Sequence, residues 1–188
     1  MNKVLALMVG IPGSGKSTFA KHVQNYWLKR NHTCEIVSRD KIRFSLLAKI
    51  YFDLVTQSEN YFSHEDEVWS NFVKEAVSSL EKNDITILDA THINAYSRKK
   101  IIKAIKQRYQ GQPFDTIAIV MDESLITCLD RNSQREGLSI VPEKAIINMD
   151  ENMTVPSKEE NFNCVYLVNW DIESSNYYIF KEEEYLNE

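Results

Sequence analysis

The chain is poor in cysteine and glycine, has no long apolar run and carries no excess of positive charge. Its three cysteines, Cys34, Cys128 and Cys164, are an odd set without a C-x-x-C pair, which argues against a disulfide framework and against zinc. They lie in or near apolar runs and read as reduced core or near-core residues. No stretch approaches the roughly 20 apolar residues of a membrane span. Met1-Asn2-Lys3 leads into an apolar strand candidate rather than into the h-region of a secretory signal. A cytoplasmic protein with no membrane partner is therefore expected. No internal repeat, low-complexity segment or composition break divides the 188 residues, a length that suits one domain over 1–188.

The net charge of −5 speaks against a long nucleic-acid track, but it is unevenly placed. Residues 143–188 hold 11 acids and 3 bases, whereas residues 1–142 hold 19 bases and 16 acids. The acidity belongs to the C-terminal part, most of it from Phe162 to Glu188. Arg98, Lys99, Lys100, Lys103, Lys106 and Arg108 form a run without an acid. Such a run is either the solvated face of a helix or a contact surface for a polyanion's phosphates.

Three of the five glycines stand within one stretch, Gly10-Ile11-Pro12-Gly13-Ser14-Gly15-Lys16-Ser17, which matches the phosphate-binding loop G-x-x-x-x-G-K-[ST]. It follows the apolar run Val4–Val9 and precedes apolar positions at Phe19, Val23, Tyr26 and Trp27. The strand–loop–helix context that the motif needs is therefore present. In such a loop the backbone N–H groups from Gly13 to Thr18 and the helix dipole face the phosphates. Lys16 reaches the terminal phosphates of ATP or GTP, and the Ser17 hydroxyl ligates Mg²⁺. Ser14, Gly15 and Thr18 complete the candidate nucleotide cradle.

Further apolar runs at Ile36-Val37, Ile85–Leu88, Thr116–Met121 and Val165–Val168 alternate with helical patterns over Lys16–Arg30, Lys41–Tyr51, Glu65–Lys82, Ser97–Tyr109, Ser124–Arg135 and Glu143–Asn152. This alternation predicts an α/β three-layer sandwich with a mainly parallel sheet flanked by helices, closed at one edge by Val165–Val168. Gly111-Gln112-Pro113 and the Gly137-to-Pro142 connection punctuate it.

Chemistry beyond the loop is expected past the carboxyl ends of the strands. Asp40 and Arg43 follow the second strand. Asp40 is either the general base for an attacking hydroxyl or a helix N-cap, and Arg43 either holds an anionic acceptor or is solvated. Asp89 ends the third strand as in a Walker B segment and either holds Mg²⁺ through water or orients Lys16, or else caps the turn at Ala90-Thr91. His92 reads as a packed or solvated residue, with no metal-ligand partner at the proper spacing. Arg131 and Arg135 are four apart. They close over the triphosphate from a mobile lid at about 128–142 with Gly137 as hinge, or form a surface ladder with Glu136.

Taken together, these segments resemble the kinase domain of the bacteriophage-type polynucleotide 5′-hydroxyl kinases, within the small P-loop kinase group that includes the zeta toxins. The resemblance runs from Lys3 to about Met149. It covers the loop, Arg39-Asp40-Lys41-Ile42-Arg43, Asp89-Ala90-Thr91 with Asn94 and Arg98, and Arg131-Asn132-Ser133-Gln134-Arg135 followed by Val141-Pro142. It implies Asp40 as general base, Arg43 as ligand of the acceptor phosphate, Arg135 as lid arginine on the donor, and Lys16 and Ser17 as phosphate and Mg²⁺ ligands. The implied acceptor is the 5′-hydroxyl of a DNA or RNA end. A small-molecule acceptor such as a sugar, nucleoside or nucleotide sugar is the alternative, and a non-catalytic nucleotide-binding module a third. The chain departs from the family at His92, where Asn is usual, and by one residue more between Arg135 and Val141. It has no Asp-x-Asp-Gly-Thr phosphatase motif, so 3′-phosphatase activity is not expected.

Overall fold

The computed structural model describes residues 2–53, 64–171 and 173–181. The acidic segment beyond Lys181 lies outside them. Strands β1 (Lys3–Val9), β2 (Cys34–Ser38), β3 (Ile85–Asp89), β4 (Phe114–Met121), β5 (Cys164–Asp171) and β6 (Asn176–Lys181) form one sheet in the order β2-β3-β1-β4-β5-β6. Every pairing is parallel except the last, where β6 runs antiparallel to β5. Helices α1 (Lys16–Leu28), α2 (Arg39–Asp53), α3 (Glu65–Lys82), α4 (Ala95–Arg108), α5 (Leu125–Ser133) and α6 (Glu143–Glu151) flank it. The predicted α/β sandwich is the fold that forms, and among the described residues no helix is long and apolar enough to cross a membrane.

β1 is apolar on both faces because both are covered. Leu5, Leu7 and Val9 pack with α3 and α4, whereas Ala6 and Met8 pack with Phe19 and Ala20 of α1. α3 has its apolar residues at helical spacing, with Val68, Phe72, Val73, Ala76 and Leu80 buried. Glu65, Asp66 and Glu67 in its first turn and Lys82 in its last complement the helix dipole. Truncating a side chain as buried as Phe72 costs about 3–5 kcal/mol. A third, smaller cluster joins Ile11 of the glycine loop to Cys128 of α5 and Ile146 of α6, so the last two helices seat on the loop itself.

Three expectations change. Val165–Val168 does not close the sheet: β6 pairs beyond it and folds back so that Tyr177 meets Phe19 and Trp170, with ring centroids 4.8 and 4.7 Å away. α2 begins at Arg39 rather than Lys41, and the Ser38 hydroxyl accepts from the Lys41 N–H at 3.5 Å. Asp40 therefore lies within the first turn and is not the cap.

The third change concerns the basic run, because Arg98 is withdrawn from it completely. Its side chain is fully buried, and all five of its N–H donors are used. Nε and Nη2 grip the two Glu160 oxygens at 2.8 and 2.6 Å. Nη1 donates to the His92 and Thr154 carbonyls at 3.0 Å each, and Nη2 also reaches Thr154 Oγ1 at 3.2 Å. Burial alone would raise the Glu160 pKa, but Arg98 and the Ser157 N–H hold it below the usual value. Removing one partner of such a pair leaves a buried charge uncompensated, a loss of about 3–5 kcal/mol. Arg98→Ala should therefore lower the unfolding free energy by that amount, read in urea as a lower midpoint with an unchanged denaturation slope. A loss below about 0.5 kcal/mol, typical of an exposed substitution, would contradict this reading.

Candidate active site

The strand order reverses at β1, whose neighbours β3 and β4 lead to opposite halves of the sheet, and the glycine loop stands at that switch point. Gly13 and Gly15 both have φ of +90°, a conformation that a Cβ disfavours. At Gly13 the space is closed too: a Cβ there would lie 2.3 Å from the Cys128 carbonyl oxygen. The Gly10 N–H donates to the Thr91 carbonyl at 3.0 Å, fixing the start of the loop to the end of β3.

Lys16 opens α1 almost fully buried, and its ammonium donates to the Ile11 carbonyl at 2.6 Å and to the Ser14 hydroxyl at 3.4 Å. Burial lowers its pKa most; Asp89 and Asp40 oppose that, Arg135 reinforces it, and the result is about 8. Three groups from separate stretches of sequence thus influence the charge of one ammonium. Ser17, next to it, donates from Oγ to Asp89 Oδ2 at 2.7 Å. Thr18 follows, exposed, in the first turn of α1. A hydroxyl and a carboxylate oxygen at this spacing suit a hard cation such as Mg²⁺.

On the side of β2, Asp40 is exposed and accepts from Arg43 Nη1 at 2.5 Å. Arg43 is buried, not solvated. Its Nε donates to Glu65 Oε1 at 2.8 Å, and Arg39 Nη2 donates to the other Glu65 oxygen at 2.7 Å. The two arginines together hold Glu65 below its usual carboxylate pKa, against the effect of burial, which is the largest single influence. Glu65 was absent from the sequence expectations, since nothing local marks a residue 22 positions from Arg43 as its partner.

On the other side, Arg131 Nη1 donates to the Gly13 carbonyl at 3.3 Å and Nη2 pairs with Glu123 at 2.9 Å. Arg135 lies beyond the end of α5 and donates to the Ser139 carbonyl at 3.3 Å. Among the described residues neither arginine pairs with Glu136; Arg131 meets the glycine loop, and Arg135 the connection that follows α5. Buried Asn132, between them, clips the connection with two bonds to Val141, at 2.8 and 3.1 Å. His92, at φ of +43°, is packed: its Nδ1 pairs with the Met8 carbonyl at 2.9 Å and burial pushes its pKa down to about 4.

A glycine loop between a central strand and a helix, a buried lysine, and a Ser–Asp pair at the neighbouring strand end define a P-loop nucleotide-binding protein of small-kinase type. A family model described as an AAA domain matches residues 5–156, and the chain belongs to that family. Solved structures agree in fold. Chaetomium thermophilum Kti12, in complex with ADP-AlF3, is 17% identical over 89% of each chain with a TM-score of 0.64. A putative kinase from Chloroflexus aurantiacus is 13% identical, covering 94% of this chain and 92% of its own, with a TM-score of 0.65. A chain of a Pnkp1/Rnl/Hen1 complex is 21% identical over 75% of this chain and 45% of its own, with a TM-score of 0.51.

The lowered pKa of Lys16 gives nucleotide binding a pH signature. A triphosphate beside the ammonium favours its charged form, so binding takes up protons where the free protein has lost them, above about pH 8. At about pH 9 the binding enthalpy of MgATP should therefore vary with the ionisation enthalpy of the buffer, and at about pH 6.5 it should not. Lys16→Met should abolish the uptake along with tight binding. Proton uptake of zero at the higher pH would contradict a Lys16 pKa lowered by burial.

Proposed function

We propose that the protein is an ATP-dependent kinase that transfers the γ-phosphoryl group to the 5′-hydroxyl of a DNA or RNA end. The observation that carries this reading is the placing of two carboxylates past neighbouring strand ends beside the glycine loop: Asp89, bonded to Ser17, ends β3, and Asp40, fixed by Arg43, follows β2 as a candidate base. A switch that only reports bound nucleotide needs no such base.

In this mechanism the acceptor hydroxyl gives its proton to the Asp40 carboxylate as its oxygen bonds to the γ-phosphorus. The bond from that phosphorus to the β,γ-bridging oxygen breaks, and the nucleoside diphosphate leaves with the electron pair. Arg43, held by Glu65, fixes the Asp40 carboxylate and offers positive charge to the acceptor's phosphate. Lys16, Arg131 and Arg135 neutralise charge that develops on the transferring group. Ser17 and Asp89 would hold Mg²⁺, which when bound neutralises charge on the donor phosphates. The Arg131-to-Arg135 block and the Asp40–Arg43 spacing, through the family resemblance, support a nucleic-acid end as acceptor.

Asp40→Ala should lower the rate of 5′-end phosphorylation by about 10²- to 10⁴-fold while leaving ATP affinity nearly unchanged, because its carboxylate serves the acceptor. Glu65→Gln should give a smaller loss of the same kind. The check is transfer of labelled γ-phosphate to single-stranded DNA, the matching RNA, and a pool of nucleosides and sugars. Undiminished end-labelling by Asp40→Ala would overturn the mechanism. Labelling confined to the pool would move the acceptor to a small metabolite.

A further inference from the structure

The outward face of α4 carries Lys99, Lys100, Lys103 and Lys106, all exposed, and the helix has no acid. Lysines three and four apart repel one another by a few tenths of a kcal/mol per pair, and no i, i+4 carboxylate offsets this. The face is not isolated from the candidate acceptor site. Lys100 places its ammonium 4.7 Å from the centroid of the Trp69 ring, and the Arg39 guanidinium carbon lies 5.9 Å from the same centroid. Arg39 directly precedes Asp40, and its buried Nε has no hydrogen-bond acceptor among the described residues. A line of cations interrupted by one indole thus leads from the proposed base, across α3, onto α4.

Beyond Lys100, the residues Lys99, Ile102, Lys103 and Lys106 line one side of a surface cleft of about 400 Å³, with Glu160 and Asn161 opposite. The carboxylate of Glu160 is held by Arg98, and that of Glu65 by Arg39 and Arg43, so both are already compensated. Lys99 to Lys106 covers about 10 Å along the helix. In a chain of net charge −5, an acid-free basic face of this length is matched in charge by a phosphate backbone.

Resting on the acceptor reading above, we propose that this line is a track for the single strand that follows the 5′-terminal nucleotide, with Lys99, Lys100, Lys103 and Lys106 on successive phosphates and Trp69 beside Arg39 near the entrance. The preferred acceptor is then an oligonucleotide rather than a mononucleotide. Single-strand binding by cations and aromatic faces in this way is sequence-tolerant and weakens with salt.

The test compares a nucleoside 3′-monophosphate with a 5′-hydroxyl single strand of about 12 nucleotides, from about 50 to 200 mM salt, for the native protein and for Lys99→Gln/Lys100→Gln/Lys103→Gln/Lys106→Gln. All four positions are exposed, and a thermal melt checks that folding is retained. The native protein should prefer the oligonucleotide by kcat/KM and lose that preference as salt rises. In the variant kcat/KM for the oligonucleotide should fall about tenfold or more at low salt, through KM, with a shallower salt slope of about 0.7 less per lost contact. The mononucleotide values should not move. Equal effects on both acceptors, no effect on either, or no native preference would overturn the track and leave the kinase reading intact. Phosphorylation of neither acceptor by the native protein would overturn the acceptor reading and the track with it.

Discussion

The contact on which the rest of this structure depends is the seat of the Cys128 backbone on Gly13. Because the carbonyl of Cys128 fills the place where a Cβ would stand, the glycine loop and α5 are packed as one piece. Ile11, Cys128 and Ile146 extend that contact into a small apolar cluster, so α5 and α6 take their position from the loop rather than from the main core. Arg131 then reaches the Gly13 carbonyl, and the Asn132 clip on Val141 sets the path of the connection that carries Arg135. Since left-handed φ at Gly13 and the missing side chain are both required, the glycine serves geometry and packing together.

The second organising feature is the pairing of charges at different depths. Lys16 is held in the loop by backbone and hydroxyl oxygens, and among the described residues no carboxylate bonds directly to it, so neutral partners are what phosphate oxygens would replace. Asp40, by contrast, is exposed but immobilised through Arg43 and Glu65, a chain that fixes a surface carboxylate without burying it. The fully buried Arg98–Glu160 pair has a third role. It joins the turn after β3 to the segment before β5, and so holds the His92 and Thr154 carbonyls together on one guanidinium nitrogen, Nη1. Stability and site geometry thus share the turn that follows Asp89.

Much of this was legible in the sequence, and the exceptions have physical causes. The loop, the parallel sheet and the order of helices follow from glycine spacing and apolar periodicity, both local properties. Arg98 was grouped with its basic neighbours, yet it stands three, four and seven residues before Ile101, Ile102 and Ile105, on the buried stripe of α4. That periodicity was the available signal, and charge alone concealed it. Glu65 could not be found this way, because its partners come from another helix. β6 was hidden by its acidic surroundings, although Asn176-Tyr177-Tyr178-Ile179-Phe180 is rich in residues suited to a pleated, half-buried strand. Asp40 and Arg43 stand out in the sequence from their place after a strand, but only the fold ties them to each other and to Glu65.

The central claim is that donor and acceptor halves of a phosphotransfer site meet at Lys16. Its most direct test is to supply ATP labelled with heavy oxygen in the γ-phosphoryl group together with a 5′-hydroxyl oligonucleotide, and to weigh the oligonucleotide. The account predicts a product heavier by one phosphoryl group that retains all three labelled oxygens, formed in step with ADP. Label appearing only in inorganic phosphate, with the oligonucleotide unchanged in mass, would contradict it.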